Sequence, residues 1–279
     1  MNQMFKDPAA QGEFEETGFI KLPWLSAEEV ATLIAMYARV TPKTPDGFFF
    51  TMAVADTGVK TAVRDGILDV FGPKLNATFI DPLPLLCLFI TKTRGDGKAQ
   101  YTPSHQDWTF VDETRGHGSI HIWCPLEETG DQNGNLCLVP GSNRLRRYPR
   151  LAEVSPSAYK PYWHALRQAE RAVPTALGEA IFFDSAVVHA SSINRTDSLR
   201  LVASAIVVPR SATPVLYFQN AADDSLVDEY RAGVDHFLQK PFGARPDALV
   251  RSIPKTPVPD VEEELHRFYP DVNLSEEYR

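Results

Sequence analysis

Residues 178–208 read GEAIFFDSAVVHASSINRTDSLRLVASAIVV. Two apolar runs rich in Val, Ile, Phe and Ala flank a polar turn, and each run is strand-sized rather than helix-sized. The first run delivers His189, the turn Asn194-Arg-Thr-Asp197 follows, and the second run opens on Arg200. Side chains alternate along a strand, so Arg200 and Ser204 share a face. Similar short runs lie upstream: Leu83–Thr93 is continuously apolar, and 101–108, 119–127 and 135–140 are rich in Val, Ile, Phe and Trp. With 180–184, 186–192 and 200–208, separated by turns such as Asp131-Gln-Asn-Gly134, they predict a sandwich or jelly roll.

Helices flank this β core. Phe19–Pro23 reads as a brief strand, and Ser26-Ala-Glu-Glu29 is a capping box opening an amphipathic helix to about residue 40. A second helix is expected over 59–72, with Val63, Ile67, Val70 and Phe71 on one side. Helical segments are expected again near 162–172, 222–239 and 259–268. The resulting expectation is one domain: a helical lead-in over 1–77, a β core over 78–218 and a helical C-terminal extension over 219–279.

The bulk numbers narrow the function. A net charge of −8 over 279 residues excludes a general binder of nucleic acid or anionic membranes, which needs a field that attracts phosphates. Cys87, Cys124 and Cys137 sit in apolar runs without paired spacing and read as free thiols in a reducing compartment. The first residues lack a basic segment followed by an apolar one, and no run is long enough to span a bilayer. A soluble cytoplasmic protein is expected.

The chemistry starts at SHQDWTF, residues 104–110. If 101–108 is extended, His105 and Asp107 project side by side while Gln106 faces away. With His189 they make a two-histidine, one-carboxylate set, the ligand pattern of non-haem Fe(II) with open positions. 2-Oxoglutarate chelates such an iron through its 2-oxo acid end, and its distal carboxylate suits the planar fork of Arg200. Ser204, on the same strand face, can add a hydroxyl. Arg195 is the rival arginine, but it sits in a turn. A competing reading takes His117 and His121, spaced i, i+4, as zinc ligands of a hydrolase, although the stretch around them alternates as a strand would.

The chain resembles the phytanoyl-CoA dioxygenase family of Fe(II)/2-oxoglutarate oxygenases. Four stretches carry the likeness: EFEETGFIKLPWLSAEEV (13–30), HQD (105–107), WCPLEETGDQNGNLCLVPGSN (123–143) and HASSINRTDSLR (189–200). It covers about residues 12–210, with Asn143 standing where the family usually has histidine. The resemblance implies a distorted double-stranded β-helix. It also implies Fe(II) on His105, Asp107 and His189, 2-oxoglutarate on Arg200, and O2 as the third reactant. It places Trp123 near the cosubstrate, where Leu88 is also expected to pack. Aspartate at 107 favours hydroxylation, desaturation or demethylation over halogenation, because related halogenases carry a small residue there. A small-molecule substrate is expected, with an acidic group if the basic run 143–150 meets it. Candidate substrate residues are Trp108, His121, Phe50 and Arg146. A jelly-roll binding protein without turnover is the alternative from another class.

Overall fold

The computed structural model describes residues 2–41, 43–95, 102–145, 147–152, 159–255 and 261–274. Helix α1 (Pro8–Thr17) is capped by Asp7, whose carboxylate accepts from Ala9 N, and ends at Gly18 with φ 82°. A side chain at Gly18 would also run into Val187, since a Cβ there would lie 2.4 Å from its Cγ2. After strand β1 (Phe19–Pro23), the expected capping box forms, with Ser26 and Glu29 satisfying each other's backbone donors at the start of α2 (Ala27–Val40). Strand β2 (Phe48–Phe50) precedes α3, which runs Thr57–Thr78 and so outlasts the expected 59–72. The helix passes through Pro73 because Leu75, one turn beyond Phe71, is buried with it.

Strands β3 (Pro82–Lys92), β4 (Thr102–His105), β5 (Ile120–Pro125) and β6 (Leu136–Leu138) follow, then short α4 (Trp163–Leu166) and β7 (Arg171–Val173). Next come β8 (Glu179–Asp184), β9 (His189–Ser191) and β10 (Arg200–Pro209). They form a six-stranded sheet ordered β1-β8-β5-β10-β3-β2 and a four-stranded sheet ordered β4-β9-β6-β7, antiparallel throughout. The architecture is the expected jelly roll with flanking helices.

Both faces of the larger sheet are covered, which explains why its strands read as unbroken apolar runs. Along β3, Cys87 and Phe89 pack with Phe71 and Leu33 of the helical layer, while Leu86, Leu88 and Ile90 point into the roll with Leu136 and Leu138. Alternation survives, but both faces want hydrocarbon.

The C-terminal expectation needs correcting. Residues 219–279 are not purely helical: β11 (Val215–Gln219), β12 (Leu226–Arg231) and β13 (Ala248–Pro254) make a three-stranded sheet. Among the described residues of this stretch, only α5 (Val234–Gln239) and α6 (Val261–Phe268) are α-helical. Buried Asp228 and Glu229 break the apolar alternation that would have marked β12. They are held by Asn220 and Ser252, and by Tyr217 and Arg251.

Candidate active site

His105 closes β4 and pairs in register with His189, which opens β9, so the two imidazoles lie side by side with ring centroids 4.1 Å apart. Each Nδ1 lies against a carbonyl two residues back, Pro103 O at 2.8 Å and Val187 O at 2.9 Å. A carbonyl only accepts, so each Nδ1 carries a proton, and Nε2 is the nitrogen each ring turns toward the site. Those Nε2 atoms stand 3.8 and 3.7 Å from Asp107 Oδ1. The three ligand atoms lie within 4.8 Å of one another, which fits a single metal ion.

Asp107 reaches this point differently from the expectation. Strand β4 ends at His105, and Asp107 lies in the following loop, held by its own N–H donating to Ser185 O at 3.0 Å. Gln106 does not face away: it lines the same cavity. The other oxygen, Oδ2, meets His121 Nδ1 at 2.7 Å, and His121 Nε2 meets Ser204 Oγ at 2.7 Å. His121 also stacks on Phe183, with centroids 4.6 Å apart.

These contacts set the charges. Burial works to raise the Asp107 carboxyl, but the His189 and His121 imidazoles outweigh it and hold the group well below the usual carboxylate range. Burial, reinforced by His105, pushes His189 down to about 3. The site thus offers a carboxylate and a neutral imidazole at ordinary pH.

A cavity of about 260 Å³ opens over the three residues and extends to Arg200. Arg200 is 1% exposed, its Nη1 donates to Gly134 O at 3.0 Å, and its guanidinium lies 5.6 Å from the Trp123 ring centre. Burial lowers it to about 10, with Glu127 pulling the other way, so it stays cationic. Its Nε and Nη2 are buried without a partner among the described residues. Two orphaned donors on a buried cation call for an anionic acceptor, and a carboxylate fits. Arg195, the rival, is exposed.

Leu88, Trp123, Phe50, Trp108 and His121 all line the cavity. Ser204 does not. Its hydroxyl donates to Ile122 O at 2.8 Å and is taken up by His121, so sharing a face with Arg200 does not bring it to the cosubstrate pocket. Ser191 lines the cavity instead, and its Oγ accepts from the buried Lys92 Nζ at 2.6 Å. Sequence reasoning missed both residues, although Ser191 stands two places after His189 on one strand and was within reach of the same periodicity. The zinc reading finds no support: His105, Asp107 and His189 are the one such cluster among the described residues, and His117 is not part of it.

The basic run 143–150 also departs from expectation. Arg146 lies outside the described residues, but Arg147 pairs with Asp184 and, at 3.4 Å, with Glu113. Arg150 forks onto Glu113 at 2.7 and 3.1 Å, and its Nε donates to Asp107 O at 2.7 Å. Both guanidinium groups are thus ion-paired to buried carboxylates beside the loop that carries Asp107.

A jelly roll with two histidines and a carboxylate converging beside a buried arginine is the layout of a non-haem metal oxygenase. The phytanoyl-CoA dioxygenase family model matches residues 14–202, and the chain belongs to that family. Phytanoyl-CoA dioxygenase domain-containing protein 1 of Danio rerio is 29% identical over 130 residues, covering 44% of each chain. The chain thus spans less than half the length of the curated relatives it matches. Among solved structures, the epimerase SnoN, in complex with Fe3+, alpha ketoglutarate and nogalamycin RO, superposes with a TM-score of 0.58 at 22% identity, over 90% of this chain and 97% of that one. The alpha ketoglutarate dependent carbocyclase SnoK from nogalamycin biosynthesis gives 0.55 at 18%, over 88% and 93%. These likenesses carry the fold.

Proposed function

We propose that the protein is an Fe(II)/2-oxoglutarate-dependent dioxygenase that hydroxylates a C–H bond of a small molecule. One observation carries the reading: three metal-ligating atoms within 4.8 Å share a cavity with a buried guanidinium whose Nε and Nη2 have no partner among the described residues. His105 and His189 would hold the metal through Nε2, and Asp107 through its carboxylate. Arg200 holds the distal carboxylate of 2-oxoglutarate, assisted by Ser191, whose hydroxyl proton is left free by the lysine it accepts from. Trp123 and Leu88 wall that cosubstrate and keep water out. When bound, the metal and cosubstrate supply O2 activation coupled to decarboxylation of 2-oxoglutarate to succinate. His121 positions Asp107 by occupying its second oxygen, as partners of metal ligands commonly do. Among the described residues no helix is long and apolar enough to cross a membrane. The free thiols, with Cys87 and Cys124 buried, support a reducing, cytoplasmic setting.

Anaerobic titration with Fe(II) and 2-oxoglutarate tests the reading through the visible absorption band of the chelate. The wild type is expected to develop the band and His105→Ala to lose it. Arg200→Ala should raise the 2-oxoglutarate requirement by about 10- to 100-fold, and Arg195→Ala should leave it unchanged. A band that is absent from the wild type, or indifferent to His105, would refute the proposal.

A further inference from the structure

We infer that the molecule oxidised here is compact, uncharged and predominantly apolar, and that Phe242 of the C-terminal segment forms part of its wall. The inference deepens the oxygenase reading and rests on it.

The polar inventory of the cavity leads there. Gln106 is tied at both ends, its Nε2 donating to Ala186 O at 2.6 Å and its Oε1 accepting from Tyr148 at 3.2 Å, and what capacity it has left is neutral. His121 is spent at both nitrogens. His105, Asp107 and His189 face the metal position, and Arg200 with Ser191 faces the cosubstrate. Thr102 adds only a neutral hydroxyl. Among the described residues, no charged side chain on this wall is left over to meet a charge on the substrate. Arg147 and Arg150 of the nearby basic run are locked to Glu113 and Asp184. A carboxylate or ammonium drawn in beside the metal would lose its water without gaining a partner, at a cost of several kcal/mol.

The remaining wall is hydrocarbon, from Met52, Leu86, Phe110 and Ile206 to an aromatic rim. In that rim, Phe242 stacks on Trp108 at 4.5 Å and 21° and meets Phe50 edge-on at 4.9 Å. Phe242 lies beyond the stretch that the family model covers. Lys60, 1% exposed on α3, pins its segment by donating to Lys240 O at 2.7 Å. Phe242 itself remains 39% exposed, so it makes a lip of the cavity rather than a core contact. The volume of about 260 Å³ must also admit the cosubstrate, and it sits below the ~300–1,000 Å³ usual for small-molecule sites. That favours a compact molecule.

The test uses shape-matched probes on the chain loaded anaerobically with Ni(II) and 2-oxoglutarate. Binding of 1-adamantanol and of adamantane-1-carboxylate is measured by calorimetry, alongside indane, indane-2-carboxylate and octanoyl-CoA. The neutral member of each pair should bind at least about 10-fold tighter than its anion. Phe242→Ala should weaken the neutral probe about 5-fold without changing 2-oxoglutarate affinity. Leu249→Ser, on the same C-terminal segment but 54% exposed on β13, should change neither. The inference is overturned if an anion or the thioester binds as tightly as the neutral probes, if no neutral probe binds, or if Phe242→Ala has no effect. Failure of Ni(II) and 2-oxoglutarate to bind would instead sink the oxygenase reading. The neutral-versus-anion comparison would then be read on unloaded Arg200→Gln, where the guanidinium cannot capture the anion.

Discussion

Lys92 ends the apolar run of β3, directly across the ladder from Arg200, and is fully buried. Its ammonium donates to Ser191 O, Ser191 Oγ and Ser192 O at 3.0, 2.6 and 2.9 Å, all neutral oxygens. Burial, with Arg200 adding repulsion, pushes it from 10.5 down to about 6. The folded chain therefore holds this proton less well than the unfolded chain does. Below about pH 6 the penalty for an ionised Lys92 is full, and it fades as pH rises toward 10.5. In urea melts between pH 6 and 9, wild type should gain stability relative to Lys92→Met as pH rises, by no more than about 1.4 kcal/mol per unit. Parallel curves would refute this account. The same residue shows how far the sequence can be read. His105, Asp107, His189 and Arg200 were legible because their chemistry is rare in apolar strands and their spacing converges. Lys92 was not, because its partnership with Ser191 crosses strands. Ser204 misled because periodicity gives a face, not a partner.

At the level of elements, the loop after β4 does the work expected of a strand. Thr109 N donates to Arg150 O at 3.1 Å, Arg150 N donates to Thr109 Oγ1 at 2.9 Å, and the Arg150 side chain reaches back to Asp107 O. Glu113 anchors this clamp. Burial favours its neutral form, but Arg150 and Arg147 outweigh that and keep its carboxyl below the usual range. Glu113→Gln should therefore cost about 3–5 kcal/mol, as expected for one partner removed from a buried pair. It should also weaken Ni(II) binding by about 10-fold, because the loop presenting Asp107 loosens. Arg210, paired with Asp81 at 3.0 Å on the surface, offers the contrast: Arg210→Ala should cost at most about 1 kcal/mol. Equal losses in the two variants, by urea melts, would show the buried network to be unimportant. The partners of the basic run were hidden in sequence because its acids lie far along the chain. Arg147 and Asp184 are 37 positions apart, and only folding introduces them. The long apolar strands were legible for the opposite reason: burial on both faces writes an unbroken signal.

For the whole molecule, the family match stops at residue 202, but the packing does not. Leu216, Phe218, Tyr230 and Phe237 of the C-terminal segment share one hydrophobic cluster with Leu85, Leu86, Ile206 and Val208 of the jelly roll. Phe237 also meets Phe110, whose loop carries Asp107, at 6.3 Å. We propose that the chain unfolds as one cooperative unit, because a boundary after β10 would have to cut through this cluster. Tryptophans report from separate places: Trp24 against the helical layer, Trp108 under Phe242, Trp123 beside Arg200 and Trp163 on α4. Fluorescence and far-ultraviolet circular dichroism should trace a single coincident transition in urea. Phe237→Ala should shift that entire curve, lowering stability by about 3–5 kcal/mol while leaving its slope unchanged. A separately folding extension predicts something different. The variant would then move only a second, smaller transition, and the tryptophans of the β core would melt where they do in the wild type.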